Sequence, residues 1–227
     1  MWAVLKKEFK TYFLSPIGYV FIGLFLAMFS LLFYITTVHQ GAVTFQYVFY
    51  YAVMYSIVFI LPLLTMRMFA EERKNGTEQL LVTSPRSMIA ITLGKFFAAA
   101  LVIVITEILT LVYLGIICYF KTPDFATVAV AMFGFLLLSM AYISFGMFIS
   151  SLTENQIIAA IVTIAAFILT WLAPNISTKL ISISLIEKFY PFATGVFPIT
   201  ETISLLSITI MFVILTMIVM KRRKLVK

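Results

Sequence analysis

Uncharged stretches long enough to cross a membrane constrain this chain more than any other feature. No Asp, Glu, Lys or Arg lies between Lys10 and Arg67, and further uncharged runs occupy residues 125–153, 155–178 and 202–220. Hydrophobic residues make up 63% of the 227 positions, a composition that excludes a soluble globular domain. A helical span needs roughly 20 apolar residues, whereas barrel strands are shorter and alternate. The sequence therefore predicts an all-α integral membrane protein with one transmembrane domain over residues 1–227.

Six transmembrane helices are predicted from the apolar runs. We expect them at residues 16–38, 45–69, 89–119, 126–150, 156–173 and 202–220. The segment 175–200 is apolar enough to be considered as a seventh span, but Lys179, Glu187, Lys188 and two prolines interrupt it. We therefore expect 175–200 to be an external segment between spans five and six.

The distribution of Lys and Arg predicts the orientation. Cytoplasmic ends of membrane helices carry an excess of basic residues. Six spans place 13 of the 16 basic residues on one side, and only Lys121, Lys179 and Lys188 on the other. A seventh span would move the basic C-terminal run outside. We therefore expect a multi-pass protein of a bacterial-type plasma membrane with both termini in the cytoplasm. The net charge of +7 then serves topology and attraction to lipid, not nucleic-acid binding.

The first 15 residues have the pattern of an interfacial helix. At 100° per residue the aromatic and aliphatic side chains share one arc, and the lysines share the neighbouring one. The first set is Trp2, Leu5, Phe9, Tyr12 and Phe13, and the second is Lys6, Lys7 and Lys10. Such a helix is either an amphipathic anchor or an element that transmits motion from a cytoplasmic partner.

A charged island at residues 70–86 separates the second and third predicted spans. Glu71, Glu72 and Arg73 open it, Gly76 can end one helix, and Thr77 can cap a short one. Pro85 can begin a third helix. This pattern predicts a cytoplasmic coupling helix that docks on a partner. The alternative is that these charges only terminate a span and follow the positive-inside rule.

Residues for soluble-enzyme chemistry are nearly absent. His39 is the single histidine and Cys118 the single cysteine, so one chain cannot build a zinc site or a disulfide framework. Gly94-Lys95 superficially resembles a phosphate-binding loop, but Ile89 stands where that motif needs Gly, and Phe96 replaces its Ser or Thr. We therefore expect no catalytic residue, no metal and no directly bound cofactor, and a membrane-embedded enzyme is disfavoured.

Glu107 lies near the middle of the third predicted span, with apolar residues on both sides. On insertion scales a charged side chain at this depth costs about 2.5–3.5 kcal/mol, so we expect Glu107 to face the helix bundle. Two roles remain open. It is either a hydrogen-bonded packing carboxyl or a group in a substrate path or gate.

Four segments of the sequence form recognisable motifs. The island motif comprises Glu71-Glu72-Arg73, Gly76-Thr77-Glu78, Leu80-Leu81, Ser84-Pro85 and Gly94-Lys95; the other segments are Lys6-Lys7-Glu8-Phe9, Ser151-Leu152-Thr153-Glu154-Asn155-Gln156 and Lys221-Arg222-Arg223. The island motif resembles permease subunits of ATP-binding-cassette (ABC) transporters, in the type-2 exporter class, at the junction of their second span, coupling region and third span. The other segments are similar to the subgroup of gliding-motility and copper-processing permeases.

The resemblance implies an exporter subunit that works with two cytoplasmic ATPase subunits, which bind ATP and Mg. Leu80 and Leu81 would make apolar contacts with an ATPase, while Glu71, Glu72, Arg73 and Glu78 would supply salt bridges. A six-span chain is too small to enclose a transport path alone, so a second permease, identical or related, is expected. The alternative is a membrane scaffold or signalling component whose ATPase drives no translocation. The sequence does not name the substrate.

Overall fold

The computed structural model describes residues 1–39, 45–77, 87–120, 122–176 and 184–226. Those residues form ten α-helices, and a π-helical segment, Tyr34–His39, continues the second of them. The helices are α1 Trp2–Leu14, α2 Pro16–Phe33, α3 Phe45–Phe59, α4 Leu61–Thr65, α5 Ala70–Lys74, α6 Met88–Phe120, α7 Phe125–Leu152, α8 Gln156–Ile176, α9 Leu185–Ala193 and α10 Ile199–Val226.

Within the described ranges, five helices are long and apolar enough to cross a membrane. They are Pro16–Thr37, Met88–Phe120, Phe125–Leu152, Gln156–Ile176 and Ile199–Arg223. These segments coincide with five of the six predicted spans, although each differs from its prediction by one to three residues at one or both ends. The chain is therefore an all-helical, multi-pass membrane protein, as its composition predicted.

The remaining predicted span, 45–69, is not one continuous helix. α3 ends at Phe59 and α4 begins at Leu61, with Pro62 in its first turn. Proline has no backbone N–H to continue the helical ladder, and its ring opposes the preceding turn. A short turn then separates α4 from α5. The helix predicted over 45–69 is therefore interrupted at Ile60, because the apolar pattern took no account of the proline within it. Whether this segment crosses the membrane as a sixth span stays a prediction.

α7 lies at the centre of the bundle. In the apolar window of α7, 61% of the residues are buried, against 33% or less in the other four long helices. Aromatic rings join it to its neighbours: Phe135 lies 5.7 Å from Phe25 of α2 and 5.5 Å from Phe49 of α3, measured between ring centroids. The surfaces left exposed on the outer helices are mostly aliphatic, as contact with lipid requires.

α9 packs against the first half of α7. Ser184 caps α9 by accepting from the Glu187 N–H, and Phe189 and Phe192 are fully buried. Gly134 of α7 provides the space for Phe192, because any Cβ at that position would overlap the Phe192 side chain. The predicted external segment 175–200 therefore includes a packed helix. Lys179 lies outside the described residues.

Candidate functional site

One end of the bundle, called the charged end, gathers α1, α5 and the first turns of α6. Lys95 of α6 is its centre, with a side chain only 3% exposed. Its Nζ lies 3.1 Å from Oε2 of Glu8 on α1 and 2.8 Å from Oε1 of Glu72 on α5. We call these three residues the Lys95 cluster. The Phe69 ring completes the surroundings of the ammonium, 5.4 Å from Nζ to the ring centroid.

The backbone of α1 lies close to the backbone of α6 at Gly94, next to Lys95. Gly94 faces Val4, and a Cβ at Gly94 would lie 2.8 Å from Cγ1 of Val4. α1 presents Leu5 and Tyr12 as its buried residues, and Glu8 lies between them on the same helical face. The Tyr12 hydroxyl donates to the Leu64 carbonyl at 3.3 Å, which attaches α1 to α4 as well.

A second ion pair joins the turn before α5 to the first residues of that helix. Arg67 donates two hydrogen bonds to the Glu71 carboxylate, from Nε to Oε2 at 2.5 Å and from NH2 to Oε1 at 2.6 Å. Such a bidentate pair fixes orientation as well as distance. The NH1 group of Arg67 also donates to Oγ of Ser15 at 3.1 Å, at the junction of α1 and α2.

The C-terminal end of α7 also forms hydrogen bonds with α5 and with the turn before it. The hydroxyl of Ser150, which is fully buried, accepts from the N–H groups of Phe69 and Ala70, both at 3.1 Å, and donates to the Met66 carbonyl at 2.9 Å. These two N–H groups belong to the start of α5, where a helix has no internal acceptors. The NH2 group of Arg73 donates to the Ser151 carbonyl at 2.7 Å.

A cavity of about 430 Å³ opens between α1 and α5. Its walls carry both signs of charge, including Lys7, Glu8, Arg67, Glu72 and Lys95. Burial raises the pKa of Glu72, while the neighbouring Lys95 opposes that rise. Burial, aided by the Glu8 carboxylate, also holds the pKa of the Tyr12 phenol above its ordinary value.

The predicted coupling residues divide into three groups. Glu71, Glu72 and Arg73 bond to other parts of the chain, as described above. Gly76 and Thr77 are exposed beyond the end of α5. Gly76 has a left-handed φ of 70°, which ends the helix, and the Thr77 hydroxyl donates back to the Glu72 carbonyl at 3.1 Å. The others lie outside the described residues: Glu78, Leu80, Leu81 and Pro85.

Glu107 lies far from this cluster, twelve residues further along α6. It is 6% exposed, so it is sheltered by the bundle, as predicted for a carboxyl at this depth. Its Oε1 has no hydrogen-bond partner among the described residues. Its position alone leaves both predicted roles open.

The sequence patterns did not predict the residues that organise the charged end. Lys95 belongs to an incomplete phosphate-loop pattern and to a family motif, and Glu8 to a family motif, and neither pattern pairs the two residues. A signal did exist for both. Lys95 is the single cation in the 33 residues of α6, and Glu8 is an acid on the apolar face of an amphipathic helix. The role of Ser150 had no such signal, because serines are common in membrane helices.

A comparison with protein families identifies the family of this chain. Residues 33–221 match the model of the ABC-2 family transporter protein. The chain belongs to this family. It is therefore a membrane component of an ABC-2 type transporter. No curated protein matches it at a significant level.

The match spans α3 to α10 and includes most of the charged end, but it begins after α1. Among the described residues, no group of three or more His, Cys, Asp or Glu side chains is placed to hold a metal ion. Membership in the gliding-motility and copper-processing subgroup stays a prediction.

Proposed function

We propose that the chain is the permease subunit of an ABC exporter, which forms a substrate path with a second permease and is driven by two separate ATPase subunits. The charged end is then the cytoplasmic end. The observation that supports this most is that α5 is bonded to α6 and α7, and through Lys95 to α1, while its tip stays exposed. Lys74, Asn75, Gly76 and Thr77 form that tip.

The bonds of the charged end suit transmission of force. A push on the tip of α5 reaches α6 through Glu72 and Lys95, and reaches α1 through Lys95 and Glu8. Separating a buried ion pair leaves an uncompensated charge, which is strongly unfavourable. The helices therefore move together more easily than they separate. Ser150 and Arg73 extend the same linkage to the end of α7.

Six crossings are consistent with this arrangement. α3 and α4 contain 15 and five residues. At 1.5 Å per residue they are together about 30 Å long, the thickness of the hydrocarbon core. Counting them as one broken span puts both termini and the charged island in the cytoplasm. α1, with Lys6, Lys7 and Lys10 exposed, then lies in the headgroup layer as an interfacial helix.

The coupling proposal is tested by co-purification of the ATPase. Changing Leu80 and Leu81 together to Asp should release the ATPase by removing apolar anchors, while the chain stays inserted. Glu78→Gln should weaken the complex less, in a salt-dependent way. The control is a pair of substitutions on the lipid-facing side, Leu111→Ala with Val112→Ala. Undiminished recovery of the ATPase with the double Asp variant would rule out this coupling segment.

Orientation is tested by cysteine labelling in intact cells. Cys118 is exposed, so it is first changed to Ser. A cysteine at Lys188 should react with an impermeant thiol reagent, whereas a cysteine at Lys74 should react only after the membrane is opened. Labelling of the Lys74 position from outside would remove the cytoplasmic assignment, and with it the proposed role of α5.

A further inference from the structure

Three tyrosine rings meet at the end of the bundle opposite the charged end, where α9 packs on α3. The Tyr50 ring lies 5.4 Å from that of Tyr51 and 5.7 Å from that of Tyr190, measured between centroids, and it is steeply inclined to both. We call these three residues the tyrosine cluster. The buried Phe189 ring lies nearly parallel to the Tyr50 ring at 6.0 Å, so it supports the cluster from inside the bundle.

The tyrosine cluster is open on its outer side. Tyr51 is 40% exposed and Tyr190 is 54% exposed, whereas Phe189 is fully buried. Ring surface is therefore free to contact a further group. The face of an aromatic ring carries negative charge density, which attracts cations.

A carboxylate lies beside these rings. Glu187 precedes Tyr190 by three residues on α9, so the two side chains share one side of the helix, and both are exposed. Glu187, Tyr51 and Tyr190 all lie within electrostatic reach of the Tyr50 hydroxyl, and Glu187 acts on it most strongly of the three. The carboxylate and the hydroxyl ends of the tyrosine cluster therefore converge on one place.

The described part of the chain supplies no cation to this place. None of its Lys or Arg residues forms a salt bridge with Glu187. Lys188 is the next residue, but its Nζ donates to Oγ of Ser204 on α10 at 2.8 Å. The cluster thus combines aromatic rings with a carboxylate that has no counter-charge from the described residues.

We propose that the tyrosine cluster and Glu187 bind a quaternary ammonium group, with its methyl groups against the rings and its charge beside the carboxylate. Aromatic rings recognise such a group through their faces, and it needs no hydrogen-bond acceptor. An anion would be repelled by Glu187, and a neutral apolar group would gain nothing from it. The inference is independent of the proposed function, since it requires neither an ATPase nor a second permease.

The test compares choline with its uncharged carbon analogue, dimethylbutanol. Equilibrium dialysis measures the binding of each to the purified full-length chain in maltoside micelles, with empty micelles subtracted. Choline should bind saturably, and dimethylbutanol about tenfold more weakly. Choline also occurs as a phospholipid headgroup, so phosphatidylcholine or phosphatidylglycerol is then added to the micelles. Displacement of choline by phosphatidylcholine alone assigns the site to the lipid headgroup, and displacement by neither assigns it to a soluble cation.

Side-chain variants test the carboxylate and the rings separately. Glu187→Gln and Tyr190→Leu should each weaken choline binding by about threefold to tenfold, whereas Tyr190→Phe keeps a ring and should keep most of the binding. The matched controls are Glu201→Gln and Tyr119→Leu, which change a carboxylate and an exposed tyrosine elsewhere and should have no effect. Elution volume identifies any variant that fails to fold, and Tyr51→Leu then replaces Tyr190→Leu.

Three results would overturn the proposal. The first is an absence of saturable choline binding. The second is equal binding of choline and dimethylbutanol, which would leave the tyrosines as an aromatic anchor at the lipid interface. The third is choline binding that is unchanged in both Glu187→Gln and Tyr190→Leu.

Discussion

Two helix junctions, one at the charged end and one at the opposite end of α7, are stabilised by different kinds of contact. At the charged end, α1, α5 and α6 meet at the Lys95 cluster, and Ser150 binds the first N–H groups of α5. At the opposite end, Phe192 of α9 lies over Gly134 of α7, and Phe197, in the segment after α9, stacks on Phe133 with the ring centroids 5.7 Å apart. One junction depends on charge and the other on shape.

The difference follows from the surroundings of each junction. Near water, ionised groups can be kept if they are paired, and pairing fixes which residues meet. Within the apolar bundle the described residues form no such pair, and helices approach where a small residue leaves room for a large one. This division suits the proposed function, in which one end receives force from an ATPase and the other surfaces contact lipid.

The largest expected effect is at the Lys95 cluster. Lys95→Met should lower the free energy of unfolding by about 3–5 kcal/mol, because Glu8 and Glu72 lose their shared cation while they stay largely buried. The measurement is denaturant unfolding of the purified chain in mixed micelles. Adding Glu8→Gln and Glu72→Gln should restore most of the loss, since neutral amides need no counter-charge.

The stability of the Lys95→Met variant should depend on pH in a direction that can be derived. Burial raises the pKa of Glu72, and removal of Lys95, which opposes the rise, should raise it further. The folded state then binds a proton more tightly than the unfolded state, so stability increases as pH falls through the folded pKa. The deficit of Lys95→Met relative to wild type should therefore shrink on acidification. A deficit that grows instead would mean that the carboxylates have another cation.

A smaller effect is expected where shape holds the helices. Gly134→Ala should lower the free energy of unfolding by about 1–3 kcal/mol, because the new methyl group overlaps Phe192. Gly115→Ala is the control, since a Cβ at Gly115 has no atom within 4 Å, and it should be neutral or slightly stabilising. Equal stability of both variants would mean that α9 does not pack on α7 at this point.

The smallest effect is expected at the tip of α5. Gly76→Ala should cost about 1 kcal/mol through its left-handed φ of 70°, since no atom lies close enough to clash. Hydrogen exchange at the Asn75 and Gly76 amides, which donate to the Glu71 and Arg73 carbonyls, gives the local measurement. Gly23→Ala in α2 is the control. Unchanged protection at these amides would mean that Gly76 does not determine how α5 ends.

The candidate site was predictable only in outline. The island at 70–86 was recognised from its charges, and the end of α5 before Gly76 follows from glycine's freedom at positive φ. The internal partners of Glu71, Glu72 and Arg73 were not predicted, because the sequence pattern suggested charges free to bind an ATPase. Whether Leu80 and Leu81 contact that ATPase remains a prediction on residues outside the described ranges.

The sequence by itself determined that this chain is a helical membrane protein. Hydrocarbon leaves every backbone polar group to be satisfied within the chain, so long uncharged runs permit little else than helices. Only the tertiary structure decided that α3 and α4 are separate helices, that α7 is central, and that Lys95 rather than the island's own charges organises the charged end. Glu8, Glu72 and Lys95 are far apart in sequence, and which of them meet depends on how α1 fits against Gly94.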